Sequence, residues 1–98
     1  MMHKIVIAFL MTIVSFNSTA REISGYVQDG KNNDPIPFSN VWIKGTYTGT
    51  MTDINGYFIL AMSDNDTLCI SSVGYQRVEI PAKQITDIPL IIYLVEQV

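Results

Sequence analysis

The sequence predicts an all-β fold: a seven-stranded antiparallel β-sandwich preceded by a cleavable signal peptide. Three observations point there. After residue 20, β-branched and aromatic runs recur at spacings of about ten residues, as in sandwich domains. Clusters of Gly, Pro, Asn, Asp and Ser separate those runs. No stretch after residue 20 shows the apolar period of a helix. A closed barrel would give the same pattern and is the alternative architecture.

The first twenty residues read differently. Met1, Met2, His3 and Lys4 form a short charged start, and residues 5–14 (IVIAFLMTIV) are almost wholly apolar. Ser18 and Ala20 then supply the small residues of a cleavage site between Ala20 and Arg21. A spanning helix needs about 20 apolar residues, and Asn17 and Arg21 interrupt the run before that length. The expected organisation is therefore a signal peptide over residues 1–20 and one domain over residues 21–98. No cysteine lies near the cleavage site, so anchoring through an acylated cysteine is not expected, nor is a transmembrane segment in the mature chain.

The strands follow in order. Ile23, Gly25 and Val27 alternate with Ser24 and Tyr26 and predict a first strand over 23–27. Residues 29–35 (DGKNNDP) are a turn cluster. Residues 38–44 (FSNVWIK) predict a second strand with Pro37 at its mouth. Gly45 and Gly49 bracket a short connection to a third strand over 50–53. Asn55-Gly56 predicts a tight hairpin, because both residue types tolerate positive φ. The returning strand, 57–62 (YFILAM), puts Phe58, Leu60 and Met62 on one face and Tyr57, Ile59 and Ala61 on the other. Residues 63–66 are the next turn. A fifth strand runs over 67–73, a sixth over 75–80 after Gly74, and a seventh over 88–95, apolar on both faces.

Composition narrows the function. The 98-residue chain has nine acidic and six basic side chains, a net charge of −3. Loss of residues 1–20 removes Lys4 and leaves five basic against nine acidic, a net −4. A nucleic-acid partner, which requires a basic face, is not expected. The same cleavage removes His3, the one histidine, and leaves Cys69 as the one cysteine. Cys69 then has no histidine base, Ser-His-Asp catalysis is excluded, and no zinc ligand set remains. A lone cysteine forms no internal disulfide, so a mature chain of 78 residues must rest on its apolar core.

Other features receive structural readings. Asp53-Ile54-Asn55-Gly56 begins like a calcium loop but continues into the apolar run 57–62, so it reads as a turn with Asp53 bonding nearby N–H groups. Asp64 and Asp66 read as a polar turn, and Asn65-Asp66-Thr67 as a chance glycosylation triplet. Trp42, Tyr47 and Tyr57 are candidates for an exposed aromatic platform for sugar or protein, against the plainer role of core or cross-strand filler. No catalytic, cofactor-binding or metal residue is assigned, and no cofactor.

The ordered set Ile23-Ser-Gly-Tyr-Val27, Asp34-Pro-Ile-Pro-Phe38, Asn40-Val41, Lys44-Gly45-Thr46, Gly49-Thr50, Thr52-Asp53, Asn55-Gly56-Tyr-Phe58, Ile70-Ser71 and Gly74-Tyr75 resembles the carboxypeptidase regulatory-like domain. The similarity runs from about residue 22 to residue 94. It implies a transthyretin-like (prealbumin-like) sandwich, closest to the version that precedes the plug of TonB-dependent outer-membrane receptors. It imports no zinc or peptidase activity. It implies a noncatalytic exported module, in the periplasm or on the periplasmic face of the outer membrane of a Gram-negative bacterium. An envelope protein partner would be engaged by pairing with a free sheet edge. A truncated fragment of a longer receptor and a carbohydrate-binding accessory domain are the alternatives, and an enzyme of transthyretin-like fold is disfavoured by the missing histidines.

Overall fold

The computed structural model describes residues 20–98. The expected signal peptide lies outside the described residues except for Ala20. Seven strands follow: β1 (Arg21–Asp29), β2 (Asn40–Ile43), β3 (Gly49–Met51), β4 (Tyr57–Met62), β5 (Thr67–Ser71), β6 (Val78–Pro81) and β7 (Leu90–Leu94). They form a three-stranded sheet, β4-β1-β7, and a four-stranded sheet, β3-β2-β5-β6. The sandwich expectation holds, and no barrel closes. Four ladders are antiparallel, as expected, and the fifth, β1 with β7, is parallel.

Period-two alternation explains the layers. Along β1, Ile23, Val27 and Asp29 are buried while Glu22 is exposed. Phe58, Leu60 and Met62 of β4 point inward together, as the sequence predicts. Val41, Ile43, Leu68 and Ile70 meet them from the other sheet, and Ile92 and Leu94 of β7 complete the core. Each such side chain stabilises the fold by about 1.5–3 kcal/mol of burial. Beyond the strands, Ile36, Ala82 and Ile85 join the same core.

Three local expectations are corrected. The Asn55-Gly56 turn forms: Gly56 N–H donates to Asp53 O at 3.0 Å and Asp53 N–H to Tyr57 O at 2.9 Å. It is not a hairpin within one sheet, since β3 pairs with β2 and β4 with β1. Gly56 alone takes positive φ, +75°, and a Cβ there would lie 2.5 Å from Val27 O. The six-pair register between β1 and β4 draws the chain across to the other sheet after the turn.

Phe38, expected to open the second strand, stands instead in a turn at φ 59° with its side chain 65 % exposed. Pro37 followed by positive φ is the pairing a type II turn uses. The Ser39 N–H donates to Thr52 Oγ1 at 2.8 Å, and that hydroxyl donates to Ile36 O at 2.9 Å. Thr52 therefore bridges the turn, and β2 begins only at Asn40. Strand ends shift for similar reasons. Tyr75, expected in the sixth strand, bridges Glu96 instead, because Tyr75 N–H and Gln76 N–H turn to Ser72 O and Val95 O. Between β6 and β7, Ala82–Gln84 forms a 3-10 turn.

Replacing Thr52 with Val keeps the volume and removes the bridge, leaving the Ser39 N–H unpaired in a site where both residues are buried. Chemical denaturation of Thr52→Val should show a loss of about 1–3 kcal/mol. Phe38→Gly should gain about 1 kcal/mol in the same assay by relieving the left-handed backbone.

Candidate functional site

The sequence candidates for chemistry do not converge. Asp53 caps its turn, accepting from Asn55 N–H and Tyr57 N–H at 2.9 Å each. Asp66 accepts from Ser63 N–H at 2.8 Å, and Asp64 lies 3.6 Å from Arg21 on the surface. Asp66 thus serves the turn, Asp64 faces Arg21 instead, and Asn65 is exposed at the tip. Among the described residues no three His, Cys, Asp or Glu gather in a metal-binding group.

Tyr75 anchors the corner that Gly74 opens at φ +88°. Its hydroxyl donates to Asp29 Oδ2 at 2.7 Å, while Lys31 N–H donates to Asp29 Oδ1 at 2.7 Å. The Tyr75 hydroxyl, followed by the Lys31 N–H, holds the Asp29 carboxyl below its ordinary range. The carboxylate in turn pushes the Tyr75 phenol up to about 12. A cleft of about 270 Å³ adjoins this corner, lined by Asp29, Gly30, Lys31, Leu94, Val95 and Glu96. The carboxylate that Tyr75 meets lies 46 residues away in the chain, beyond any local signal.

The outward face of the four-stranded sheet is polar and charged. Trp42, Cys69 and Glu79 stand in one cross-strand row. Arg77 lies over the Trp42 ring, 5.0 Å from its centroid, and donates to Cys69 Sγ at 3.5 Å. Glu79 pairs with Arg77 at 2.8 Å and with Lys44 at 2.9 Å. Lys44 is the main cause holding the Glu79 carboxyl below its usual range. Cys69 is fully buried although it faces outward, because this layer of long side chains covers it. On the β3 side of Trp42 lies an open groove of about 490 Å³, reaching Asn40, Tyr47, Gly49, Met51 and Ser71.

Tyr57 is not part of that surface. It sits on the other sheet against Tyr26, ring centroids 5.1 Å apart, and so takes the cross-strand role. The proposed trio of aromatics is corrected to a pair, Trp42 and Tyr47. Register explains the separation, since Tyr57 is opposite Tyr26 on β1.

The outward face of the three-stranded sheet is the surface that sequence reasoning did not single out. Tyr57, Tyr26 and Ile91 form one cross-strand row, and Ile59 and Tyr93 flank it. Ile59, Ile91 and Tyr93 are each about half exposed (49, 42 and 52 %). Ser24, Gln28 and Ala61 fill the remaining positions, and Glu22 at one end is the charged residue on this face. The signal was present in the seventh strand, apolar on both faces where a half-solvated strand alternates. Exposed apolar patches of this kind mark interaction surfaces.

Residues 23–97 match the family model described as the CarboxypepD_reg-like domain. The TonB-dependent receptor SusC of Bacteroides thetaiotaomicron is 36 % identical over 83 residues, covering 82 % of this chain and 8 % of that receptor. The TonB-dependent receptor P39 of Formosa agariphila is 36 % identical over 73 residues, covering 74 % of this chain and 7 % of the receptor. The chain thus spans less than a tenth of the length of these curated relatives. Among the described residues no helix is long and apolar enough to cross a membrane.

The Asp29–Tyr75 pair gives stability a two-sided pH dependence. Asp29 is depressed when folded, so its contribution is complete above the unfolded value of 3.8 and is lost as pH falls through the folded one. Tyr75 is raised, so its contribution is complete below 10.0 and is lost as pH rises through about 12. Denaturation midpoints followed from acid to alkali should fall at both ends, and Tyr75→Phe should flatten both limbs. An unchanged alkaline limb in that variant would show that the phenol contributes nothing to it.

Proposed function

This chain belongs to the carboxypeptidase regulatory-like domain family, and from that premise we propose that it is a noncatalytic accessory module of the cell envelope that docks a protein partner. The observation that carries the reading is the apolar outward face of the three-stranded sheet beside a bare edge strand. β7 (LIIYL) ends that sheet without a charge or a proline, and β4 (YFILAM) does the same at the opposite edge. The other sheet is guarded in the ways edges usually are. β3 has three residues, while β6 carries Glu79 and ends in Pro81, which has no N–H to offer.

A partner strand added alongside β7 would gain main-chain hydrogen bonds, and Ile91 and Tyr93 would give it apolar contacts. Export follows from the expected signal peptide. Cleavage after Ala20 would leave the sandwich whole, since β1 begins at Arg21. The receptor relatives support the periplasmic face of a Gram-negative outer membrane as the working location. A second reading, one segment of a longer receptor, is favoured by the small share of each relative that the chain covers. The downstream nucleotide sequence tests it, an in-frame plug domain being the supporting result and an unrelated gene the opposing one.

The docking reading is tested by affinity capture from envelope extract with the full chain as bait. Specific capture should drop at least about tenfold with Ile91→Lys, a loss of about 1.4 kcal/mol. Ile91 is 42 % exposed, so the variant should melt with the parent. No capture above background, or equal capture by the variant, would sink the reading.

A further inference from the structure

We propose that the groove beside Trp42 on the four-stranded sheet binds a neutral oligosaccharide, a site separate from the protein-docking face. Its lining carries no carboxylate, ammonium or guanidinium, so nothing in it would neutralise a charged ligand. It does combine flat aromatic surface with uncharged hydrogen-bonding groups, the mixture that a pyranose ring presents in complement. The C–H groups on a sugar face pack on an indole, and its hydroxyls both donate and accept.

Several observations show that the groove is built for contact. Trp42 is braced from the β6 side by Arg77, itself paired with Glu79 at 2.8 Å. On the β3 side the ring is opened by Gly49, opposite it in the ladder. A Cβ at Gly49 would come 2.8 Å from both Trp42 Cβ and Val41 O. Tyr47 stands fully exposed at the mouth, on a loop fastened where Thr46 Oγ1 donates to Ile43 O at 2.8 Å. Asn40 and Ser71 are direct cross-strand partners. Among the described residues neither side chain makes a hydrogen bond to the protein, so the amide and the hydroxyl are available as an adjacent pair. The volume of about 490 Å³ is within the usual range for small-ligand sites.

An extended peptide is the other occupant to weigh, because β3 is an edge strand. With three residues, Gly49–Met51, β3 offers too few outward backbone groups to hold an added strand, whereas the Asn40 amide and the Ser71 hydroxyl stand side by side on the groove.

Trp42 is the single tryptophan of the chain, so its emission reports directly on the groove. The purified chain would be titrated with cellohexaose, maltohexaose, laminarihexaose, xylohexaose and mannohexaose, by fluorescence and by calorimetry. At least one should bind saturably at micromolar to millimolar concentration. Tyr47→Ala and Asn40→Ala, both at exposed positions, should each weaken it by about tenfold or more. Ile91→Lys, on the opposite sheet, should leave it unchanged, so loss of sugar binding and loss of partner docking are read separately. Absence of saturable binding to every sugar at millimolar concentration would overturn the proposal. So would binding indifferent to Tyr47→Ala and Asn40→Ala, or a groove that takes an uncharged extended peptide and no sugar.

Discussion

The architecture depends on how one end of the sandwich keeps its backbone groups bonded while the chain passes between sheets. Val27 and Thr52 do this together. Val27 N–H donates to Gly56 O at 2.8 Å and Val27 O accepts from Ile36 N–H at 2.9 Å. Thr52 then holds the same loop from the other sheet, accepting from Ser39 N–H at its hydroxyl and from Phe38 N–H at its carbonyl. A buried unpaired donor costs about as much as several tenths of the net stability of a small domain. The strained backbone at Phe38 persists because these bonds fix the residues on either side of it.

With the ends tied in this way, the two outer faces are free to differ. Cross-strand register puts Lys44, Arg77 and Glu79 on the four-stranded sheet, where they shield Cys69 and hold Trp42 upright. Such surface ion pairs add little stability, and their effect here is positional. The three-stranded sheet takes the exposed Ile59, Ile91 and Tyr93 instead. An apolar face and two uncharged edges suit association with protein. A braced indole among amides and hydroxyls suits a small neutral ligand.

Much of this was legible in the chain. Alternation in residues 57–62 gave the inward row Phe58, Leu60 and Met62, and the turn clusters gave seven strands with the fourth in its observed place. The Asp53 cap was also readable, since it rests on a local turn and a side chain that suits it. The errors came where a local signal met a distant partner. Asn55-Gly56 encodes a reversal of the chain, and only the pairing of β4 with β1 decides that the reversal changes sheets. Residues 38–44 have strand propensity throughout, but Thr52 captures the Ser39 N–H and delays the strand to Asn40.

By itself the sequence determined the all-β class, the number of strands, the inward rows and the absence of histidine chemistry after residue 20. These follow from periodicity and residue type, which are properties of single segments. Only the tertiary structure decided that β1 and β7 run parallel, that Tyr57 leaves Trp42 and Tyr47 for the opposite sheet, and that Cys69 is buried on an outward face. Each of these depends on which strand stands beside which, and in what register. That choice is made by the packing of the whole core, so it is not written into any one run of residues.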